Sequence, residues 1–260
     1  MSTHPLCVLH IPHSSQEIPP DLRHTLLLDD DALEQELLRM TDRYTDLLFA
    51  QAPDDACTVI YPVSRLIVDP ERFVPDSEEP MAARGMGVIY TLTSEGRPLR
   101  HPPSSSQRAA LLERFYKPHH LAVTTAVLAA LSEHDSALVI DCHSFPARPL
   151  PYELDQTSDR RDICIGTDSF HTPLWLSRAA SRLFEQRGFT VAINRPFDGA
   201  LVPGAFYQRD PRVHALMIEL NRSRYMCEDS GEQSNQFEDV MESVHQSCRE
   251  LMALSKRQHR

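Results

Sequence analysis

No two of the six cysteines form a C-x-x-C pair, and no part of the sequence is a long hydrophobic run. Cys7, Cys142 and Cys164 instead lie within short apolar segments, where a reduced thiol behaves as a small hydrophobe. We therefore expect neither a disulfide framework nor a cysteine-rich zinc site. The roughly 18 apolar residues of a membrane span and the pattern of a signal peptide are also missing. These absences predict a cytoplasmic protein that does not cross a membrane.

Positive charge is scarce as well. The 26 Lys and Arg residues are outnumbered by 37 Asp and Glu residues, so the net charge is -11. The sequence has no basic stripe that would neutralise a phosphate backbone, and nucleic acid is therefore not expected as a partner. Nothing in these patterns predicts an oligomeric state.

Short apolar runs alternate with longer amphipathic ones along the chain. This alternation is typical of an α/β sheet covered by helices. A chain of 260 residues can bury one large core, and no linker or internal repeat is visible, so we expect a single domain over residues 1–260. The predicted strands are LCVLHI, CTVIYP, RLIVD, ALVIDC, DICIGT, TVAIN and HALMIEL.

Leucine spacing, capping residues and proline positions predict the helices. The predicted helical segments are 33–48, a run that begins at Ser104 and is kinked or divided at Pro118, 172–188 and 233–256. Two proline-rich, charged segments, 70–87 and 144–162, are too long for simple connections. Both are therefore candidates for the walls of an active site.

Polar residues follow several predicted strands. His13 follows the first strand, His143 ends the fourth, Asn194 ends the sixth and Glu219 lies near the end of the last. Ligands of open α/β sheets bind at the carboxyl ends of strands, so these side chains are expected to meet there. Two histidines and a carboxylate suit a catalytic zinc, and a second carboxylate such as Glu219 suits proton transfer. Taken singly, each histidine could be a structural residue at the end of a strand, with its ring satisfied by hydrogen bonds. Glu219 could likewise pair with a nearby arginine.

The third metal ligand is less evident from the sequence. The acid that would complete a short His-x-x-Glu pair is missing, because Gln16 stands three residues after His13. Asp42 is the preferred ligand, since Thr41-Asp42 could cap a new helix and direct the carboxylate into the crevice. Glu17 and Asp46 remain alternatives.

The stretch LVIDCHSFP at 138–146 carries a thiol beside an imidazole. Along a strand, side chains alternate between faces, so Cys142 points away from Asp141 and His143. A nucleophilic cysteine needs hydrogen-bond reach to its base, which adjacent strand residues lack. We therefore expect His143 to act as a ligand and Asp141 to support it, with Cys142 packed in the core.

An ordered series of motifs from about residue 8 to residue 226 resembles the N-formylglutamate amidohydrolase family. The motifs are IPHSS, TDRYTD, SRLIVDPER, GMGVIYT, KPHH, DCHS, DICIGT, NRPF and MIELNRSRYM. The resemblance implies a three-layer α/β fold with helices on both faces of a mixed sheet, similar to that of zinc carboxypeptidases. It also implies zinc-dependent, or otherwise metal-dependent, hydrolysis of N-formyl-L-glutamate in histidine breakdown. It further implies His13, Asp42 and His143 as metal ligands and Glu219 as the catalytic acid.

A dicarboxylate substrate needs cationic partners, and a guanidinium binds a carboxylate through two hydrogen bonds. Arg65, Arg72 and Arg195, together with Asn194, stand in suitable motifs, although Arg65 could instead pair with Asp69. The NRPF segment departs from the NGRF form expected of a formylglutamate hydrolase. Two alternatives therefore stay open: an amidase for another N-acyl amino acid, and a non-catalytic protein that binds an acidic metabolite. The role of His120, in KPHH, also stays open.

Overall fold

A six-stranded mixed sheet forms the centre of the protein. The computed structural model describes residues 4–52 and 54–258. The strands are β1 (Cys7–Ile11), β2 (Ala56–Ile60), β3 (Ala137–Phe145), β4 (Ile163–Gly166), β5 (Val191–Ile193) and β6 (Val213–Asn221). They lie in the order β2-β1-β3-β6-β4-β5, and β1, β2, β3 and β6 run parallel. The β4 strand pairs antiparallel with β6, which makes the sheet mixed.

Six α-helices surround this sheet in the described part of the chain. They are α1 (Asp30–Met40), α2 (Thr45–Leu48), α3 (Ser105–Leu111), α4 (Lys117–His134), α5 (Leu174–Glu185) and α6 (Phe237–Gln258). A π-helical segment, Leu112–Tyr116, joins α3 to α4, so the irregularity expected near Pro118 lies just before it. Short 3₁₀ turns occupy Arg23–Thr25, Pro80–Arg84 and Arg222–Arg224. No described helix has the length and apolar content needed to traverse a bilayer.

Helices cover both faces of the sheet because alternate strand residues point to opposite sides. Val8 of β1 and Val139 of β3 pack against Val127 of α4 on one face. Leu9 and Cys142 belong to the core on the other face, which includes residues of α5 and α6. The predicted α/β class and the three layers are therefore confirmed. The likeness to zinc carboxypeptidases and the single domain over 1–260 stay predictions.

The predicted strand RLIVD is wrong. Residues 65–67 form a turn, in which Ile67 N donates to Ser64 O at 2.9 Å and Leu66 N donates to Ser64 Oγ at 3.2 Å. Leu66, Ile67 and Val68 enter a second core beneath the loops instead of the sheet. A short apolar run indicates burial, but it does not by itself distinguish a strand from a buried turn.

The helix predicted over 33–48 is divided. Asp29 caps α1 by accepting a hydrogen bond from Ala32 N at 2.8 Å, and α1 ends at Met40. Tyr44, at the start of α2, has a left-handed backbone with φ 68°. Asp42 therefore lies in a turn between two helices, where its main-chain oxygen accepts from Thr45 N at 3.2 Å.

Candidate active site

A cavity of about 380 Å³ opens beside the ends of β3 and β6. Its lining includes His13, His143 and Glu219. Parts of both irregular segments, 70–87 and 144–162, also line it. The two loops rich in proline and charge thus form walls of the cavity, as predicted from the sequence.

His13, Asp42 and His143 converge at this cavity. Each offers one potential ligand atom, and the three atoms lie within 4.8 Å of one another. Asp42 Oδ2 lies 3.2 Å from His143 Nδ1 and 3.7 Å from His13 Nδ1. The turn that carries Asp42 is fixed to the loop after β1, because Asp42 N donates to His13 O at 2.9 Å. All three residues are at least 95% buried.

Carboxylates behind the two imidazoles determine which ring nitrogens face the cluster. Asp69 Oδ1 lies 2.9 Å from His13 Nε2, and Asp141 Oδ1 lies 3.0 Å from His143 Nε2. An ionised carboxylate only accepts hydrogen bonds, so both Nε2 atoms carry the proton. In a neutral ring, Nδ1 presents a lone pair towards Asp42. Burial opposes protonation of His143, but the carboxylates of Asp141 and Asp42 hold its pKa well above the ordinary value, so a proton occupies its Nδ1 when no metal is bound. This carboxylate–histidine arrangement is typical of metal sites.

Asp42 is held as an anion. Arg222 Nη2 donates to Asp42 Oδ1 at 2.8 Å, and Ser144 N donates to Asp42 Oδ2 at 3.2 Å. Burial opposes ionisation, but hydrogen bonds from the rings of His13 and His143 and the Arg222 charge hold the pKa of Asp42 well below its ordinary value. Asp42 therefore faces the two imidazoles as a carboxylate, a ligand type that zinc commonly uses.

The three residues fit a divalent metal. His13 Nδ1 is buried and has no hydrogen-bond partner among the described residues. Two nitrogen lone pairs and an anionic oxygen would repel one another without a proton or cation between them. Glu17 is exposed, and neither it nor Asp46 belongs to the convergent group or lines the cavity. Asp42 is thus the one of the three proposed third ligands that the structure brings to the histidines.

Glu219 adds a separate carboxylate to the cavity. It is the register partner of His143 on the adjacent parallel strand, so the two side chains emerge on the same face of the sheet. Its Oε2 atom is buried without a hydrogen bond to any described residue. Burial raises the pKa of Glu219 to about 8. The anticipated pairing with an arginine is not seen, because Arg222 bonds Asp42 and Arg224 lies 3.4 Å from Asp162.

The arginines proposed for substrate binding differ in whether their hydrogen-bond donors already have partners in the protein. Arg65 lines the cavity, but its Nη2 donates to Asp69 Oδ2 at 2.8 Å and its Nε donates to Tyr90 at 3.0 Å. Arg72 also lines the cavity, and its Nε makes no hydrogen bond to the described residues. The carboxylates of Asp69 and Glu79 stand 3.6 and 3.9 Å from Arg72. Arg72 is therefore the freer of the two guanidinium groups.

Arg195 and Asn194 are not brought to the cavity. The Arg195 side chain is 68% exposed and lines a separate surface pocket, 3.8 Å from Asp155. Asn194 is exposed and hydrogen-bonds Thr167. They follow β5 at the edge of the sheet, and the cavity is reached only by the next residues, 196–198. The prediction that both residues lie at the central cavity had used only their position at a strand end.

Two other sequence questions are answered by packing. Cys142 is fully buried in the core that contains Cys248 of α6, and burial raises the pKa of its thiol well above the ordinary value. This environment does not favour a nucleophilic thiolate. His120 stacks on Tyr116 and contacts Pro70 O at 2.9 Å, which places it behind the loop that carries Arg72.

Sequence reasoning gave several residues no role in the site, although it named Asp69 as a possible partner of Arg65. Asp69 orients His13, Arg222 neutralises Asp42, and Arg39 and Glu71 line the cavity. Asp69 did carry a usable signal, because it directly follows an apolar run, as Asp141 does. The partners of Arg222 and Arg39 depend on contacts between distant parts of the chain.

The comparisons with known proteins agree on one family. The model of the N-formylglutamate amidohydrolase family matches residues 6–226. An N-formylglutamate deformylase of Pseudomonas putida is 25% identical over 228 residues, which are 85% of this chain and 82% of that protein. One from Pseudomonas aeruginosa is 25% identical over 230 residues, which are 86% and 83% of the two chains.

Solved structures share the fold. The crystal structure of an N-formylglutamate amidohydrolase from Ralstonia eutropha JMP134 superposes with a TM-score of 0.86 at 22% identity, covering 98% of this chain and 95% of that chain. A gene product of Agrobacterium tumefaciens gives a TM-score of 0.68 at 19% identity, covering 98% and 91%. At these identities the likeness establishes the architecture of the chain.

Proposed function

Because this chain belongs to the N-formylglutamate amidohydrolase family, we propose that it hydrolyses N-formyl-L-glutamate to formate and L-glutamate with the help of a divalent metal, most simply Zn²⁺. The observation that carries the proposal is the cluster of His13, Asp42 and His143 beside Glu219 in one cavity. Family membership supports amide hydrolysis, and the buried cluster supports metal dependence. A cytoplasmic location and action within one catalytic domain are part of the same proposal.

The residues divide into metal-holding and proton-transferring groups. His13 Nδ1, His143 Nδ1 and the Asp42 carboxylate would hold the metal, and Asp69 and Asp141 would fix the two rings through their Nε2 protons. A metal in that place supplies Lewis-acid activation of water and of the formyl carbonyl. Glu219 would accept a proton from water and return it to the nitrogen of the departing glutamate. Burial raises the pKa of Glu219 above its ordinary value, which favours the uptake of a proton from water.

Arginines at the cavity support an acidic substrate. Arg72 has an Nε donor without a hydrogen bond, whereas Nη1 of Arg39 already lies 3.1 Å from Glu95 Oε1. Arg72 lines the cavity, so a carboxylate of the substrate could complete its hydrogen bonding. Arg65 would act mainly by holding Asp69, since its Nε and Nη2 atoms already donate to Asp69 and Tyr90. Arg195 and Asn194 are not needed by this proposal.

Formate release tests the proposed reaction directly. Zinc-loaded enzyme is incubated with N-formyl-L-glutamate, N-formyl-L-alanine and N-acetyl-L-glutamate, and formate or acetate is followed by proton NMR. We expect N-formyl-L-glutamate to give the highest kcat/KM, about 10⁴ M⁻¹s⁻¹ or above. Absence of formate with metal-loaded protein, or tight binding without turnover, would contradict the proposal.

Replacement of Arg72 by lysine tests how the substrate is held. Lysine keeps the positive charge but cannot form the paired hydrogen bonds of a guanidinium. We expect KM for N-formyl-L-glutamate to rise about tenfold or more, as when a charge-assisted hydrogen bond is lost, with a smaller change in kcat. Arg249→Lys, on the surface of α6 beside Glu242, is the matched control and should leave KM unchanged. An unaltered KM in Arg72→Lys would remove this residue from the binding site.

Two exposed apolar side chains favour a second candidate substrate class. Phe73 and Leu154 line the cavity while remaining 53% and 69% exposed. Such side chains on opposite loops could cover an acyl group larger than formyl. A related amidase for another N-acyl amino acid is therefore the alternative, and a higher kcat/KM with N-benzoyl-L-glutamate than with the formyl substrate would favour it.

A further inference from the structure

A second cluster of ligand-type side chains lies behind His143. His10, Glu71 and Asp141 each offer one atom within 4.8 Å of the others. His10 on β1 and Asp141 on β3 are register partners on adjacent parallel strands, and Glu71 comes from the cavity loop 70–87. None of these residues belongs to the set that would hold the catalytic metal.

The distances within this cluster suit metal ligands. His10 Nδ1 lies 2.8 Å from Asp141 Oδ1 and 3.2 Å from Glu71 Oε1. Ligand atoms bound tetrahedrally at about 2.0–2.1 Å from a zinc ion are about 3.3 Å apart. Small adjustments of the side chains would therefore place all three atoms around one cation.

The described residues provide no Lys or Arg within 4.0 Å of the Glu71 carboxylate. Among the described residues, the ionic contacts of Glu71 within 4.0 Å are with the rings of His10 and His143. Glu71 Oε1 is buried and has no hydrogen-bond partner in the described structure. His10 Nδ1 has one proton to give, and Asp141 is the closer acceptor. A buried carboxylate oxygen without a hydrogen bond is costly, and either a proton or a bound cation would remove that cost.

A fourth residue supplies the support that a metal-bound histidine normally has. His119 Nε2 lies 2.8 Å from His10 Nε2. When His10 Nδ1 binds a metal, the ring proton resides on Nε2 and can be donated to His119. Ligating imidazoles usually donate their second N–H to such an acceptor. His119 is a buried residue of α4.

We propose that His10, Glu71 and Asp141 form a second site for a divalent transition metal such as Zn²⁺, separated from the first by the imidazole of His143. His143 links the two sites, because its Nδ1 faces Asp42 while its Nε2 contacts Asp141. Glu71 lines the cavity, so the cation would enter from the same opening. The mixed nitrogen and oxygen ligands are of the type that Zn²⁺ and Mn²⁺ accept.

Metal stoichiometry tests this site without any substrate. Full-length protein is stripped with a chelator, titrated with Zn²⁺, passed through gel filtration and analysed by mass spectrometry for zinc per chain. We expect about two zinc ions in wild type and about one in Glu71→Gln and in His10→Gln. Gln at position 10 removes the Nδ1 ligand while keeping a donor towards His119. Glu78→Gln, an exposed residue of the same loop, should retain two.

The outcomes separate this proposal from the catalytic one. His13→Gln should lose only the first ion, so it should also retain about one. If wild type saturates at one ion and Glu71→Gln still binds it, the second site does not exist and the cluster is a hydrogen-bonded support for His143. If wild type binds one ion that is lost in Glu71→Gln but kept in His13→Gln, the second site stands and the proposed catalytic metal centre fails. Circular dichroism verifies that each variant is folded.

Discussion

Glu219→Gln is expected to lower kcat for N-formyl-L-glutamate by about 10³-fold, within the usual range for loss of a general acid–base residue. Glutamine has the same shape as glutamate but cannot take up or release the proton. Glu219 Oε2 forms no hydrogen bond to the described residues, so the substitution should perturb the fold little. We therefore expect KM and zinc content close to wild type, measured by steady-state kinetics and elemental analysis.

An exposed glutamate provides the control for this variant. Glu34→Gln, on the outer face of α1, makes the same chemical change far from the cavity and should keep full activity. A Glu219→Gln enzyme with wild-type kcat would show that another group transfers the proton. Glu71, which also lines the cavity, would then be the next residue to replace.

His13→Gln is expected to remove the catalytic metal and, with it, nearly all activity. Glutamine can still donate to Asp69 in place of His13 Nε2, but it has no atom equivalent to the Nδ1 lone pair. Loss of Lewis-acid activation removes several kcal/mol of transition-state stabilisation, which corresponds to a fall of about 10³-fold or more in kcat/KM. The measurements are the zinc dissociation constant and formate release at increasing zinc concentration.

A surface histidine provides the matched control. His101 is exposed, and His101→Gln should leave both zinc affinity and activity unchanged. Chelation of wild-type enzyme should reproduce the His13→Gln loss, and added Zn²⁺ should restore activity in wild type but not in the variant. Full activity of the stripped wild-type protein would argue against any metal-dependent mechanism.

Much of the central architecture could be predicted from local pattern. Six of the seven predicted strands form the sheet, the segment 172–188 contains α5, and the segment 233–256 covers α6 except for its last two residues. Apolar runs for strands and amphipathic runs for helices are properties of neighbouring residues, so a single sequence reveals them. RLIVD failed because its apolar side chains enter a core formed by loops, which no local pattern distinguishes from a sheet.

The candidate ligands were also accessible from the sequence, for a topological reason. His143 and Glu219 lie on adjacent parallel strands, and His13 follows a third, so the sheet itself brings them to one edge. The same reasoning misplaced Arg195, because β5 is at the outer edge of the sheet and its end lies beside a different pocket. The order of the strands in the sheet determines which strand ends border the cavity, and this order cannot be read from the sequence.

The sequence by itself determined the class of fold, the family and the kinds of side chain available for chemistry. Only the tertiary structure decided which charged groups are already paired and which remain available. Arg65 is engaged with Asp69, as the sequence allowed, Arg72 keeps a donor without a hydrogen bond, and Glu71 lies beside the rings of His10 and His143. The reason is that most partners in the site, such as His13 and Asp69, come from segments distant in the chain, and bonds of about 3–4 Å between such segments are fixed by packing.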